Sequence, residues 1–343
     1  MPTRGTQVKK ACLIFPLLAA GLLAGCGAGE EAAYKETSLL MSAPVVIKVY
    51  GAGQAEGAEV AAALLKELNR ISDEFNYNDP YSMTSVVNKK AYGQWVKTDD
   101  EFMTMLTLAM DYYRLTGGAF DITFAPLWPI WREAASTRKM PAKDQIDAAL
   151  ANVGSGYIEM DPAAKAVRFS KPVQLNMGGM LRGYCFVRAI QVLKAMDVKY
   201  PVELRLGVDM LAYGKRNWRY EVMDPFDEKK HFGSFEFPGG IIMSSSGREH
   251  FVQIEGKLYS HILDLKTGYP LKDFSNLVVY FPSMDSGSFL TSTCLAVMGR
   301  DKAFSLLGRM KGTSAVWLDG QGRETVFQNG DSGAKWKRAG GLF

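Results

Sequence analysis

One of the three histidines in this sequence stands in a segment that could carry out acid–base chemistry. His261 lies in the run 259–270, YSHILDLKTGYP, three residues before Asp264. An unperturbed imidazole has a pKa of about 6.5, so at neutral pH it can take a proton from a hydroxyl group. Asp264 is near enough in sequence to orient either the imidazole or the turn that follows. The other two histidines, His231 and His250, stand beside charged residues and are expected at the surface.

Two further segments carry chemical motifs. The run 115–131, LTGGAFDITFAPLWPIW, has a double glycine typical of a helix end, and its aromatic residues suit either a core or a ligand site. The run 51–57, GAGQAEG, resembles a dinucleotide-binding loop between a strand and a helix. That fold needs a second hydrophobic strand after the helix, whereas the chain continues with the polar run 76–90. We therefore predict a plain strand-to-helix loop at 51–57.

The elements that position these segments follow from hydrophobic periodicity. Apolar residues recurring every three to four positions predict helices, and β-branched or alternating runs predict strands. After Pro201 the chain reads as short strands and turns, then as two late helices. The predicted class is α+β, with mixed or antiparallel sheets and segregated helices. The predicted helices are 58–75, 100–115, 144–152, 181–196, 290–299 and 301–310.

Residues 1–25 predict a secretory signal peptide with a lipobox. Basic residues precede the uncharged run 11–25, which ends directly before Cys26 and is shorter than the ~20 residues that span a bilayer. We expect cleavage before Cys26, acylation of this residue and anchoring to a membrane on the periplasmic or extracellular side of a bacterial cell envelope. An uncleaved anchor helix is the alternative.

Charge and cysteine content restrict the function further. Cleavage leaves 318 of the 343 residues, and loss of three basic residues lowers the formal net charge from +4 to +1. A charge this small does not indicate a nucleic acid partner. Cys185 and Cys294 lie far apart in sequence, each in a predicted helix, which favours two buried thiols over a disulfide.

The order and spacing of the motifs resemble the ApbE family of FAD:protein FMN transferases, from residue 41 to about residue 310. The resemblance implies an ApbE-like flavin-transferase domain (42–330), which follows the signal peptide (1–25) and a tether (26–41) of mostly small and polar residues and precedes a C-terminal tail (331–343). The blocks that carry it are 41–43, 82–88, 116–121, 175–183, 207–209, 245–247, 261–270 and 288–293.

The resemblance also implies a chemistry and a set of residues. FMN is transferred from FAD to a threonine hydroxyl of an acceptor protein, with release of AMP, and His261 and Asp264 are the catalytic pair. Asn78 falls where the family has a stacking tyrosine, and Leu265 where it has a proline. The residues that would line FAD are Met41, Asn78, Ala119, Phe120, Asp121, Asn176, Arg182 and Ile262.

Metal binding is where this sequence departs from the family pattern. The resemblance implies Mg²⁺ held by Gly179, Ser292 and Thr293, but Phe289 stands where the family has a metal-binding aspartate. We expect Phe289 to face the metal space one helical turn from Thr293, so that Phe289→Asp restores a ligand. Asp285 is a possible replacement ligand. Arg182 either supplies part of the missing positive charge or is a surface side chain.

Three functions remain open. The first is an FMN transferase, ranked first because the histidine turn and the 116–121 loop are both intact. The second is a lipoprotein of the same fold that binds FAD and has lost turnover. The third is a cofactor-free partner protein in which the 116–121 block serves the fold alone.

Overall fold

The computed structural model describes residues 34–41, 43–247, 251–254, 257–284 and 289–340. Contacts divide the chain into a first unit, Met1–Glu31, and a second unit, Ala32–Phe343. The first unit lies outside the described residues, as do the predicted signal peptide and Cys26. Within the described part of the chain, no helix combines the length and the apolar character needed to cross a membrane.

Helices and strands occur in separate stretches, as the sequence predicts. The helices of the described residues are α1 (Gln54–Phe75), α2 (Met83–Lys90), α3 (Asp100–Leu115), α4 (Leu127–Thr137), α5 (Lys143–Leu150), α6 (Gly178–Ala195), α7 (Ser292–Met298) and α8 (Arg300–Leu307). The strands are β1 (Tyr34–Leu40), β2 (Ala43–Val49), β3 (Val96–Lys97), β4 (Ile158–Asp161), β5 (Ala166–Phe169), β6 (Val202–Leu206), β7 (Asp209–Tyr213), β8 (Trp218–Asp224), β9 (Asp227–Phe237), β10 (Gly240–Ser246), β11 (Phe251–Ile254), β12 (Lys257–Ser260), β13 (Leu263–Asp264), β14 (Tyr269–Pro270), β15 (Phe274–Phe281), β16 (Ser314–Asp319), β17 (Glu324–Gln328) and β18 (Lys335–Arg338).

The main sheet is antiparallel and has the strand order β1-β2-β6-β7-β10-β15-β16-β17. Strand β15 is buried at every position, because both faces of the sheet are covered. On one face, Leu277 and Val279 pack into the core that contains α1 and α6. On the other, Val278 and Tyr280 pack against the small sheet β18-β9-β8. This arrangement confirms the α+β class.

The two ends of the predicted domain need correction. Residues 34–40, assigned from the sequence to the tether, form the edge strand β1 and pair along their whole length with β2. Residues 335–338, assigned to the tail, form β18 and pair with β9. Both segments are short and largely polar because each lies at a sheet edge, where one side remains solvated.

The glycine run 51–57 is a strand-to-helix loop, as predicted. It joins β2 to α1, and β2 pairs antiparallel with both of its neighbours, which excludes a parallel dinucleotide-binding unit. Gly57 packs closely on β1, since a Cβ at this position would stand 2.3 Å from the Tyr34 Cβ atom.

The two cysteines of the described residues are free and buried, which confirms that they form no disulfide. Burial raises the pKa of the Cys185 thiol to about 12. Both are therefore inert packing residues.

Candidate functional site

His261 lies in the bend between β12 and β13 and is partly exposed. The backbone beside it is fixed, because the Ile262 amide donates a hydrogen bond to Ser260 Oγ at 3.0 Å. The Leu271 amide in turn donates to the Ile262 carbonyl at 2.9 Å. Ile262 itself is buried in the main core. The imidazole is thus carried by a rigid bend that also reaches solvent.

Asp264 organises the turn that follows. Its carboxylate accepts a hydrogen bond from the Lys266 amide at 3.0 Å and another from Thr267 Oγ1 at 3.2 Å. Its carbonyl accepts the Thr267 and Gly268 amides at 3.1 and 2.8 Å. Of the two roles left open by the sequence, these bonds support the orientation of the turn. Leu265 does not prevent the turn from closing, since β13 and β14 still pair.

The histidine turn is docked on the segment that follows the 116–121 loop. The indole Nε1 of Trp131, in α4, donates a buried hydrogen bond to the Gly268 carbonyl at 2.8 Å. Gly268 has a φ of +73°, and a Cβ there would stand 2.4 Å from Ile146 Cγ2 in α5. Only glycine fits this position. The two motifs that the sequence singled out are therefore joined in space.

Asp121 is buried and fully hydrogen-bonded within the protein. Its Oδ1 atom accepts from the Thr123 amide at 2.8 Å, from Thr123 Oγ1 at 2.6 Å and from Ser155 Oγ at 2.7 Å. Its Oδ2 atom accepts from the Ser155 amide at 2.7 Å. Ala119 is half-buried, while Phe120 is buried and packs edge-on against Tyr112. Asp121 and Phe120 therefore stabilise the conformation of the loop from its buried side, and Ala119 is the more accessible of the three residues.

Several separate blocks converge at the start of α6. The Asn176 amide donates to the Ile122 carbonyl at 2.6 Å, and Asn176 Oδ1 accepts the Gly178 amide at 2.9 Å. The Asn88 side chain bonds both the amide and the carbonyl of Leu175. These contacts bring the 82–88, 116–121 and 175–183 blocks together.

Arg182 lies one turn further along α6 and forms an ion pair with Asp209 of β7. Its Nη1 atom stands 3.2 Å from Asp209 Oδ2, and the guanidinium side chain is 32% exposed. The other Asp209 oxygen accepts the Ser244 amide at 2.8 Å. Burial raises the pKa of Asp209, and the Arg182 charge opposes this effect. Arg182 is therefore fixed in position by Asp209, and part of its side chain remains accessible to a ligand.

The residues expected to hold a metal do come together. Ser245 Oγ donates to Ser292 Oγ at 2.8 Å and stands 3.1 Å from Thr293 Oγ1. We call Ser245, Ser292 and Thr293 the hydroxyl cluster. Thr291, the N-cap of α7, donates to the Gly179 carbonyl at 2.8 Å, which ties the cluster to α6.

Phe289 corrects the expectation for this region. It precedes α7, which begins at Ser292, so Phe289 and Thr293 do not share a helix face. Its ring is fully buried between Tyr112 and Tyr184, at centroid distances of 6.0 and 6.1 Å. It faces the core, not a metal.

The donors that the described residues offer here fit Mg²⁺ poorly. Mg²⁺ is usually held through one or two carboxylates, whereas the hydroxyl cluster and the Gly179 carbonyl are neutral. No group of three or more histidine, cysteine, aspartate or glutamate side chains that could hold a metal occurs in the described parts of the chain. Asp285 lies outside them.

Two predicted FAD-lining residues lie on loops. Met41 occupies the tight β1–β2 turn, with a φ of +50°, and packs partly against the main core. Asn78 is exposed in the loop before α2, where its amide donates to Asn76 Oδ1 at 3.0 Å. Tyr81, in the same loop, is 90% exposed. An exposed aromatic ring is therefore present near the position where the resemblance implies stacking.

The sequence did not mark Asp209, Ser245 or Thr291 as site residues. Asp209 and Ser245 stand inside the 207–209 and 245–247 blocks, so the motif signal was present but was not assigned a role. A Cβ at Gly247 would stand 3.4 Å from Ser260 Oγ, which places the end of β10 beside the histidine bend. Strand β10 thus links the hydroxyl cluster to His261.

The sequence model of the ApbE family matches residues 41–317. The chain belongs to the ApbE family. Among the curated relatives, an FAD:protein FMN transferase of Klebsiella pneumoniae (strain 342) is 23% identical over 291 residues, covering 84% of this chain and 90% of the relative. One of Chlamydia pneumoniae is 26% identical over 231 residues, covering 64% and 70%.

Solved ApbE-family structures share the fold. The Thermotoga maritima ApbE protein superimposes with a TM-score of 0.76 at 24% identity, covering 86% of this chain and 96% of that one. The apo Pseudomonas stutzeri flavinyl transferase ApbE gives a TM-score of 0.70 at 21% identity, covering 87% and 95%. The ApbE-like fold inferred from the sequence is therefore confirmed.

Proposed function

We propose that this ApbE-family chain is an FAD:protein FMN transferase that moves FMN from FAD to a threonine hydroxyl of an acceptor protein. The observation that carries the proposal is the Trp131–Gly268 hydrogen bond, because it joins the histidine turn to the segment following the 116–121 loop. The names of the matched relatives support the transferase, and the comparisons do not favour the FAD-binding protein without turnover.

The proposed reaction forms one bond and breaks one. The acceptor threonine Oγ attacks the phosphorus of the FMN half of FAD, and the phosphoanhydride bond to AMP breaks. The threonine proton passes to the imidazole of His261, and AMP leaves with the bridging oxygen. Asp264 and Trp131 hold the turn that carries the imidazole. No step is assigned to a metal ion.

Ligand selectivity and turnover test this function together. We expect the purified protein to quench the fluorescence of added FAD and to bind FAD more tightly than NAD, because the 51–57 loop is not a dinucleotide site. Incubation with FAD and a threonine-bearing acceptor should release AMP and leave covalent flavin on the acceptor, measured by mass spectrometry. Tighter binding of NAD than of FAD would contradict the proposal. FAD binding without transfer would favour the alternative function.

The cellular setting is part of the same proposal. The lipobox before Cys26 supports cleavage and acylation there, and the acyl chains would anchor the enzyme to a membrane of the bacterial cell envelope, where its acceptor would also be exposed. We expect Cys26→Ala to move the protein from the membrane to the soluble fraction, or to leave the precursor uncleaved. Cys185→Ala is the matched control and should leave fractionation unchanged. An intact Met1 in the membrane-bound wild type, found by mass spectrometry, would overturn the assignment.

A further inference from the structure

The apolar surroundings of Phe289 occupy the region where the family resemblance implies a metal carboxylate. Beyond the two tyrosine rings, the Phe289 ring presses on Gly183 of α6, where an added Cβ would stand 2.8 Å from Phe289 Cδ2. The segment leading into α7 is thus anchored by hydrocarbon on one side and by the Thr291–Gly179 hydrogen bond on the other. A carboxylate cannot enter this space without displacing the core.

Among the described residues, the polar groups near Phe289 are neutral or already paired. The hydroxyl cluster satisfies its own hydrogen bonds, and hydroxyl groups can also donate to phosphate oxygens. Asp209 is buried and bound to Arg182 and to the Ser244 amide, so its charge is compensated. Asp209 is therefore held in a structural pair and is poorly placed to become a metal ligand.

Arg182 carries a permanent positive charge at this place. The guanidinium group has five N–H donors, and the ion pair with Asp209 engages Nη1. Because Arg182 is partly exposed, the remaining N–H groups of its guanidinium can approach phosphate oxygens. Guanidinium groups bind such oxygens in a forked geometry. The buried Asp209 fixes its direction, so little ordering is needed when an anion binds.

We propose that Arg182, fixed by Asp209, supplies the positive charge on the diphosphate of FAD, and that this chain binds FAD and transfers FMN without a Mg²⁺ ion held by protein side chains. The inference rests on the proposed function for its ligand. It goes beyond that function in predicting that the reaction needs no Mg²⁺ ion held by protein side chains.

The first measurement is the dissociation constant for FAD, determined from flavin fluorescence in a buffer with Mg²⁺ and in one with EDTA. The dissociation constants should agree to within about twofold, since no protein-held ion has to be recruited. The transfer rate should likewise persist in EDTA. The inference would be overturned if either the affinity for FAD or the FMN transfer rate fell sharply in EDTA and recovered with Mg²⁺. The transferase function would remain supported in that case. Equal affinity in both buffers with no transfer in either would overturn the transferase function and the transfer part of the inference, and would support only Mg²⁺-independent binding of FAD.

The second measurement separates charge from folding. Arg182→Gln should weaken FAD binding by roughly 10- to 100-fold, the effect of losing a charged hydrogen-bonding partner. It also leaves the buried Asp209 carboxylate without its ion-pair partner, so the protein should melt at a lower temperature. The double variant Arg182→Gln with Asp209→Asn removes both charges and should recover thermal stability without recovering FAD affinity. Recovery of affinity in the double variant would show that Arg182 has only a structural role, and the inference would fail.

Discussion

Replacing His261 with alanine or glutamine is expected to lower the rate of FMN transfer by roughly 10²–10⁴-fold, or about 3–5 kcal/mol in the barrier. The reason is loss of the group that accepts the threonine proton. FAD affinity should stay within a small factor, because hydrogen bonds with Ser260 and Leu271 hold the adjacent backbone of Ile262. AMP release and flavin incorporated into the acceptor measure the rate, and fluorescence quenching measures affinity.

His231 provides the matched control for this variant. It lies in β9 of the small sheet, half-exposed, with its Nε2 atom 3.4 Å from Glu221. His231→Ala should therefore leave the transfer rate and the melting temperature close to those of the wild type. Full activity in His261→Ala would show that another group accepts the proton, and unfolding of that variant would show that His261 serves packing.

The sequence predicted the helices well where apolar residues recur regularly. Helix α3 spans Asp100–Leu115, the range that the periodicity indicated, and the Asp99 carboxylate caps it by accepting a hydrogen bond from the Phe102 amide. Helix α6 begins three residues earlier than the predicted 181. Its first turn contains Gly178 and Gly179, which lower helix propensity. The turn is held by the tertiary hydrogen bond from the Asn176 amide to the Ile122 carbonyl and by the local bond from the Gly178 amide to Asn176 Oδ1.

Two features could not be predicted from the sequence: the edge strand β1, and the carboxylate of Asp121 whose oxygens already accept hydrogen bonds within the protein. Strand β1 becomes a strand because β2 is available to pair with it, and the polar run that forms β1 gives little local sign of this. Asp121 was expected to line FAD, yet the hydrogen bonds from Thr123 and Ser155 occupy its oxygens. A motif shows that a carboxylate is present, whereas its partners decide whether it binds a ligand or shapes a loop. Its role toward FAD stays a prediction.

Phe289→Asp is expected to destabilise the fold by about 3–5 kcal/mol or more, instead of creating a Mg²⁺ site as its sequence position indicated. The ring is fully buried, so the change leaves a cavity between Tyr112 and Tyr184. It also places a carboxyl group in apolar surroundings. Burial raises the pKa of the neighbouring Tyr112 phenol, because these surroundings disfavour its charged form. They would disfavour the charged form of a carboxyl group at position 289 for the same reason.

Two comparisons separate the contributions. Phe289→Ala creates the cavity without the carboxyl group, so the additional loss in Phe289→Asp measures the cost of burying that group, expected at about 1–3 kcal/mol. Phe226→Asp makes the same chemical change at a site 44% exposed and should cost clearly less stability than Phe289→Asp. Urea unfolding of all three variants with and without Mg²⁺ gives their free energies of unfolding.

Because Phe289 lies outside α7 and faces the core, Mg²⁺ should stabilise Phe289→Asp no more than it stabilises the wild type. A selective gain of stability in Mg²⁺ would show that the position opens onto a cation site after all, since an ion that binds only the folded variant must raise its unfolding free energy.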